Sequence, residues 1–396
     1  MKSKAIKTCM SGNEAVAHAI RQINPDVMPA FPITPSTEIP QFVASMIANG
    51  EIDTEFIPVE SEHSAMSATM GASAAGARAI TATSSCGLAL MWEMLYVTAS
   101  SRLPVVMALV NRGLTGPLNI NAEHSDSMGA RDAGWIQIYS ENNQEVYDNF
   151  LQAHRIAEHR DVHLPVMICQ DGFITSHAVQ NITLWEDEPI KEFVGEYRPE
   201  HYLLKEDEAM AVGPYAVSNY CMEEKKAQAQ AMLNAKKVIL EVAKEFEEIT
   251  GQKYGFFEEY KLKDADFAVV AIGSVCGTAK DAVDRLRARG IKAGLLKVRV
   301  FRPFPGEEMA LALKNCKSIA IMDRCESYST NGGPLGAELM AALYREKVTA
   351  EAVNVMYGLS GRDVRVEDME EVFDWLIKMA GGELKFSEYP YLGLRD

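Results

Sequence analysis

The 396-residue sequence is short of basic charge, of closely spaced cysteines and of long apolar runs. Thirty-nine Lys and Arg against 55 Asp and Glu leave a formal charge of −16. That balance argues against nucleic-acid or anionic-membrane partners, because phosphate surfaces are bound by neutralising them with Lys and Arg. The seven cysteines, at 9, 86, 169, 221, 276, 316 and 325, form no CxxC, and the closest two are nine positions apart. A disulfide scaffold, a zinc ribbon or a chain-encoded iron–sulfur cluster needs tighter thiol pairing, so unpaired thiols in a reducing cytoplasm are expected. No stretch approaches the ~18 apolar residues of a membrane span, and the amino-terminal MKSKAIKTCMSGNEAVAHAI has no uninterrupted apolar core for export. Small molecules and other proteins remain as partners of a soluble, unexported chain.

Against these absences stands a hydrophobic content of 47%, enough for two globular domains with real cores. From Ala5 to about Thr183, short apolar runs alternate with helical patterns, the signature of strand–helix–strand units around a parallel sheet. Ser11 and Glu14 form a capping box for a helix through Ile23, and Val27–Ile33 reads as a buried strand. A helix near Thr37–Asn49, a strand at Glu55–Val59 and a small-residue helix from Glu62 to Ala75 follow. Further strands are predicted at Ala79–Thr83, Pro104–Val110 and Pro165–Cys169, with helices at Leu88–Ser100 and Gln144–Glu158. Residues 184–263 are acidic and then Lys/Glu/Ala-rich, with a long helix predicted over Glu206–Ile249 and little β signal, and read as a solvated helical connector. Strand and helix alternation returns in 264–396, a second α/β domain, with apolar runs at Asp266–Gly273, Lys292–Val298, Lys317–Asp323 and Ala352–Gly358.

Open parallel sheets bind ligands at the carboxyl ends of their strands, so the strand exits are where chemistry is sought. Phe31-Pro32-Ile33-Thr34-Pro35 holds a hydroxyl between two prolines: either Thr34 is presented to a ligand, or the turn merely starts a Ser36/Thr37-capped helix. Glu60-Ser61-Glu62-His63-Ser64 places Glu62 in a first helical turn, where it is either a dipole-stabilised carboxylate or a buried proton donor or acceptor. His63 lacks a nucleophile and makes no triad. The loop Asn111–Asp126 leaves a buried strand with two glycines and a proline. It is longer than structural connections usually are. Arg112 at its start could clamp a carboxylate bidentately or form a structural ion pair, and His124 with Asp126 could order the loop or line a pocket. Gly273-Ser274-Val275-Cys276-Gly277 and Asn331–Gly336 match no phosphate-binding motif and read as structural turns.

The ordered set FPITP, ESEHSAM, TSSCGLALM (Thr83–Met91), NRGLTGPLNI…HSD, QDGFITSH (Gln170–His177) and VFRPFP (Val300–Pro305) resembles the alpha subunit of multisubunit 2-oxoacid:ferredoxin oxidoreductases, and within that group pyruvate:ferredoxin oxidoreductase most. The resemblance spans nearly the whole chain. It implies an α/β fold with a parallel-sheet, pyrimidine-type thiamine diphosphate-binding domain over 1–183, a connector over 184–263 and a smaller domain of transketolase C-terminal type over 264–396. It further implies oxidative decarboxylation of a 2-oxoacid, with acyl transfer to coenzyme A and electrons passed to ferredoxin.

By the same resemblance Glu62 bonds the aminopyrimidine nitrogen, Phe31, Pro32 and Ser85 border the cofactor, and Thr34 and Arg112 hold the substrate. Glu62, Thr34 and Arg112 are then the catalytic set, with no metal ligand on this chain. Asp171-Gly172 lacks the rest of a GDG…N motif, which assigns Mg2+ and the diphosphate to a beta subunit and the [4Fe–4S] clusters to partners that include gamma- and delta-type subunits. Phe31 stands where the family commonly has Tyr, and the segment NINAEHSD departs from the usual bulky-aromatic version. Branched-chain or aryl 2-oxoacids therefore stand as the alternative substrates, and a noncatalytic scaffold as the alternative role.

Overall fold

The computed structural model of the protein describes residues 5–213, 215–329 and 331–395. Ser11 accepts a hydrogen bond from the Glu14 amide at 3.2 Å and so caps the helix Gly12–Ile23. The strand Val27–Ala30 follows, buried throughout, and pairs in parallel with Glu55–Pro58. Ile80–Thr83, Val106–Asn111, Val166–Asp171 and Ile136–Tyr139 lie side by side, in that spatial order, as a parallel sheet. Every residue of these four strands is buried, because helices cover both faces. Successive side chains of the central strand go to opposite faces: Val106, Ala108 and Val110 pack with the Gly12–Ile23 and Asn143–Ala157 helices, and Met107 and Leu109 with Ala65, Met66 and Leu95.

The second sheet orders Glu351–Met356, Ser318–Asp323, Phe267–Ile272 and Ala293–Val298 in parallel, with Phe257–Tyr260 antiparallel at the edge. Phe257–Tyr260 falls within the expected connector yet belongs to this sheet. The strand Gln180–Trp185 straddles the expected boundary after 183 and forms an antiparallel ribbon with Ala5–Met10. Val300–Arg302, from the second half, returns to the first sheet and pairs antiparallel beside Ile136–Tyr139. One apolar cluster contains Met107, Tyr139 and Met167 of the first sheet together with Leu296, Phe301 and Ile319 of the second half, so the halves share a core.

The connector is not a solvated spacer. Its helix begins at Cys221 rather than near Glu206 and runs to Thr250. It buries Ala231, Ala235, Val238, Ile239, Val242, Ala243 and Phe246, a stripe at three- and four-residue spacing. Two smaller expectations also shift. The strand at Val27 stops at Ala30, ahead of Pro32, and the predicted Leu88–Ser100 helix is two helices, Ser85–Leu90 and Trp92–Ser100. Among the described residues no helix is long and apolar enough to cross a membrane.

Candidate functional site

The parallel strands Ile80–Thr83, Val106–Asn111 and Val166–Asp171 run out at one edge of the first sheet, and the predicted site residues gather there. Glu62 opens the helix Glu62–Ala74, whose cap is the Ser61 hydroxyl accepting from the Ser64 amide at 3.2 Å. The Glu62 side chain is only 7% exposed and makes no hydrogen bond or ion pair with any described residue. With no partner in the chain, this carboxylate, on a residue that is nearly buried, stands available to a ligand. The Thr83 and Ser84 hydroxyl oxygens are buried without partners, and Gly87 brings the first of them to Glu62. A Cβ on Gly87 would stand 2.8 Å from Glu62 Oε1 and 2.4 Å from Thr83 Oγ1. No larger residue fits between them without displacing one.

Arg112 leaves the central strand and is 7% exposed. Its Nε donates to the Asn119 carbonyl at 2.9 Å and its Nη1 to the Thr34 carbonyl at 2.9 Å. Among the described residues no carboxylate lies within ion-pair distance of it, so the guanidinium is oriented but not neutralised. Thr34 is thus tied to Arg112 through its main chain, while its side chain is exposed and forms no hydrogen bond with a described residue. Phe31 is half-buried and Pro32 exposed beside it.

Asp126 holds this edge together. Its Oδ2 accepts from the amides of Ser85 and Arg112, both at 3.0 Å, and its Oδ1 accepts from Asn111 at 2.8 Å and from the Ser127 amide at 2.7 Å. Burial raises the Asp126 carboxyl above its ordinary value against these bonds. Ser85 sits at φ 44° with its hydroxyl donating to the Gly113 carbonyl at 2.6 Å. Its polar atoms therefore serve the 111–126 loop, and it is the neighbouring Ser84 whose hydroxyl is free for a ligand. Burial alone would raise the Cys86 thiol, but hydrogen bonds with Thr115 and Ser85 and the Arg112 charge bring it below its usual value.

His124 and Asp126 order the loop, one of the two readings left open for them. His124 Nε2 meets Asp171 Oδ1 at 2.6 Å, and Asp171 Oδ2 accepts from Arg324 Nη1 and from the Ser274 amide, each at 3.0 Å. Burial alone would raise Asp171, but the facing His124 and Arg324 charges hold its carboxyl well below the usual range. The Asp171-Gly172 and Gly273-Ser274 turns, which carried no role in the sequence, meet here. The His63 ring makes no hydrogen bond with a described residue, and its carbonyl accepts from the Ser67 hydroxyl at 2.8 Å.

An unpartnered, nearly buried carboxylate and an un-neutralised arginine thus stand together at the strand ends of a parallel α/β sheet, where open sheets bind ligands. Residues 18–244 match the family described as pyruvate flavodoxin/ferredoxin oxidoreductase, thiamine diphosphate-binding, and residues 265–369 match pyruvate:ferredoxin oxidoreductase core domain II. The chain belongs to this oxidoreductase family. It is 49% identical over 390 residues to the pyruvate synthase subunit PorA of Thermotoga maritima, covering 98% of both chains. It is also 44% identical over 380 residues to the ketoisovalerate oxidoreductase subunit VorA of Pyrococcus horikoshii, covering 96% of both. In fold it is similar to the 2-oxoglutarate:ferredoxin oxidoreductase of Magnetococcus marinus, with a TM-score of 0.73 at 20% identity, over 95% of this chain and 66% of that one. A split-gene transketolase superposes with a TM-score of 0.57 at 12% identity over 94% of this chain and 99% of the other.

Proposed function

We propose that this chain is the substrate-side subunit of a thiamine diphosphate-dependent pyruvate:ferredoxin oxidoreductase that forms acetyl-CoA, CO2 and reduced ferredoxin, or runs in reverse, in the cytoplasm. Mg2+, the diphosphate anchor and the [4Fe–4S] clusters are carried by beta-, gamma- and delta-type partners. The observation that carries this reading is the partnerless carboxylate of the nearly buried Glu62, set beside the buried, partnerless Thr83 hydroxyl. This donor set fits an aminopyrimidine ring, which offers nitrogen-bound protons to an acceptor and to hydroxyls. When bound, thiamine diphosphate supplies a carbon nucleophile for the 2-oxo carbon and an electron sink for decarboxylation.

The chain's own residues have simpler tasks. Glu62 holds a proton at the ring nitrogen, and its desolvation strengthens that hydrogen bond. Arg112, already aimed by two carbonyls, pairs with the substrate carboxylate. Phe31 walls the substrate side without a hydroxyl. Exposed apolar side chains around the edge, among them Leu90, Trp92, Leu118 and Ile120, support closure of the site by a partner. A scaffold role would place Glu62 and Arg112 in internal ion pairs, and neither is in one.

The test is the complex reconstituted with its partner subunits. Glu62→Gln is expected to lower kcat by about 10²-fold or more. Arg112→Ala is expected to raise the KM for pyruvate by roughly 10- to 100-fold. Full 2-oxoacid-dependent ferredoxin reduction by both variants would refute the catalytic reading. A branched-chain substrate is the second reading, favoured by Phe31 and by the similarity to VorA. Turnover on 2-oxoisovalerate exceeding that on pyruvate would install it.

A further inference from the structure

Arg112 does not hold its own position. Its Nε is fixed by the Asn119 carbonyl, and the next residue, Gly113, donates its amide to the Asn121 carbonyl at 3.3 Å. Together with the Thr34 carbonyl on Nη1, the 119–121 segment therefore sets where the guanidinium points. What fixes that segment comes largely from the second half of the chain. The Gly361 amide donates to the Ala122 carbonyl at 2.9 Å, and the Ser360 amide to Glu123 Oε2 at 2.9 Å. The approach is close: a Cβ on Gly361 would stand 2.3 Å from the Asn121 Cβ, and Gly361 has φ +75°. The His124 amide donates to the Arg324 carbonyl at 2.9 Å while its ring meets Asp171. Arg324 closes the circuit, bonding Asp171 through Nη1 and the Gly358 carbonyl at 3.1 Å through Nε.

We propose that Asp171, Arg324 and the Ser360–Gly361 turn form a latch through which the second half of the chain sets the aim of Arg112, making them positioning residues for the substrate carboxylate. This rests on the reading that Arg112 binds that carboxylate. Ser360, Gly361 and Arg324 bond the loop at 122–124, on the far side of the Gly113–Asn121 bond from the guanidinium, and Asp171 meets His124 there while also pairing in the sheet with Asn111. They act on the substrate through Arg112 and not by contact.

A double-mutant cycle in the reconstituted complex tests this, with pyruvate-dependent ferredoxin reduction as the readout. Asp171→Asn is expected to raise the KM for pyruvate about tenfold while kcat stays within about threefold, the pattern of lost substrate binding. Glu123→Ala, which removes the Ser360 contact without touching the buried ion pairs, is expected to move KM the same way by a smaller factor. Placed on Arg112→Ala, neither change should raise KM further. KM values that multiply in the double variants, or that stay at wild type in both single variants, would overturn the latch. If Asp171→Asn does not assemble, Glu123→Ala alone decides by the same criteria. An unchanged KM in Arg112→Ala would instead strike the reading beneath it, so the two failures are told apart.

Discussion

Two buried carboxylates in one sheet domain show how much the partner set decides at the scale of the residue. Asp148 accepts from Tyr254 at 2.6 Å, from Trp185 Nε1 at 2.8 Å and from Gln144 at 3.1 Å, whereas Glu62 accepts from none of the described residues. Burial pushes the Asp148 carboxyl up from 3.8 to about 7 in spite of those bonds. The folded protein therefore keeps a proton that the unfolded chain has released, and the stability this confers is present at low pH and lost as pH rises toward about 7. Asp148→Asn should flatten that decline, seen as unfolding free energies from denaturant titrations at pH 5 and pH 8 that differ less than in the wild type. An unchanged pH dependence would count against a raised Asp148. Glu62 was legible as a candidate because a Ser-Glu pair at a strand–helix junction is a local pattern. That its carboxylate lacks a partner was not legible, because partners come from anywhere in the chain.

The helix Cys221–Thr250 makes the same point at the scale of the element. Its charged residues suggested a solvated spacer because the small Ala231 and Ala235 carry little apolar weight in the stripe. Yet Phe246 is fully buried, with its ring 5.4 Å from Phe193 and 6.2 Å from Tyr254. Phe246→Ala should destabilise the protein by about 3–5 kcal/mol. Lys237→Ala, on the exposed face of the same helix, should leave the denaturant midpoint within error. Equal and negligible effects from both would restore the spacer reading. Ile80–Thr83, Val106–Asn111 and Val166–Asp171, by contrast, were legible as apolar runs bounded by turns, and Ser11 as a cap, whereas Ile136–Tyr139 of the same sheet, only four residues long, was not predicted. Gln180–Trp185 escaped because its mixed polarity carries no clean alternation, with only Ile182 and Trp185 buried.

For the whole molecule, the junction between the halves is a second determinant of the site. Lys297, from the second sheet, meets Glu141 at 2.9 Å and also Glu145, both from the first half, and Glu258 at 2.9 Å, with Lys280 adding a bond to Glu141 at 2.8 Å. Burial would lower the Lys297 ammonium, but the charges of Glu145 and Glu141 raise it well above its ordinary value. Lys297→Met would leave Glu145 buried without its ammonium and should cost about 3–5 kcal/mol, read from thermal or denaturant unfolding. A loss no larger than that of an exposed lysine would mean that the junction is held by the shared apolar core alone.

The sequence by itself determined the α/β alternation and most of the buried parallel strands, the strand exits that carry Thr34, Glu62 and Arg112, and the resemblance to a family, because caps, turns and apolar periodicity are written over a dozen neighbouring residues. Only the tertiary structure decided that Ser85 serves a loop, that Glu62 stands unpartnered, that Val300–Arg302 returns to the first sheet and that Asp171 meets Arg324. Asp171 and Arg324 are 153 positions apart, a separation across which no local periodicity carries information. Their encounter follows from how two sheets pack through one core.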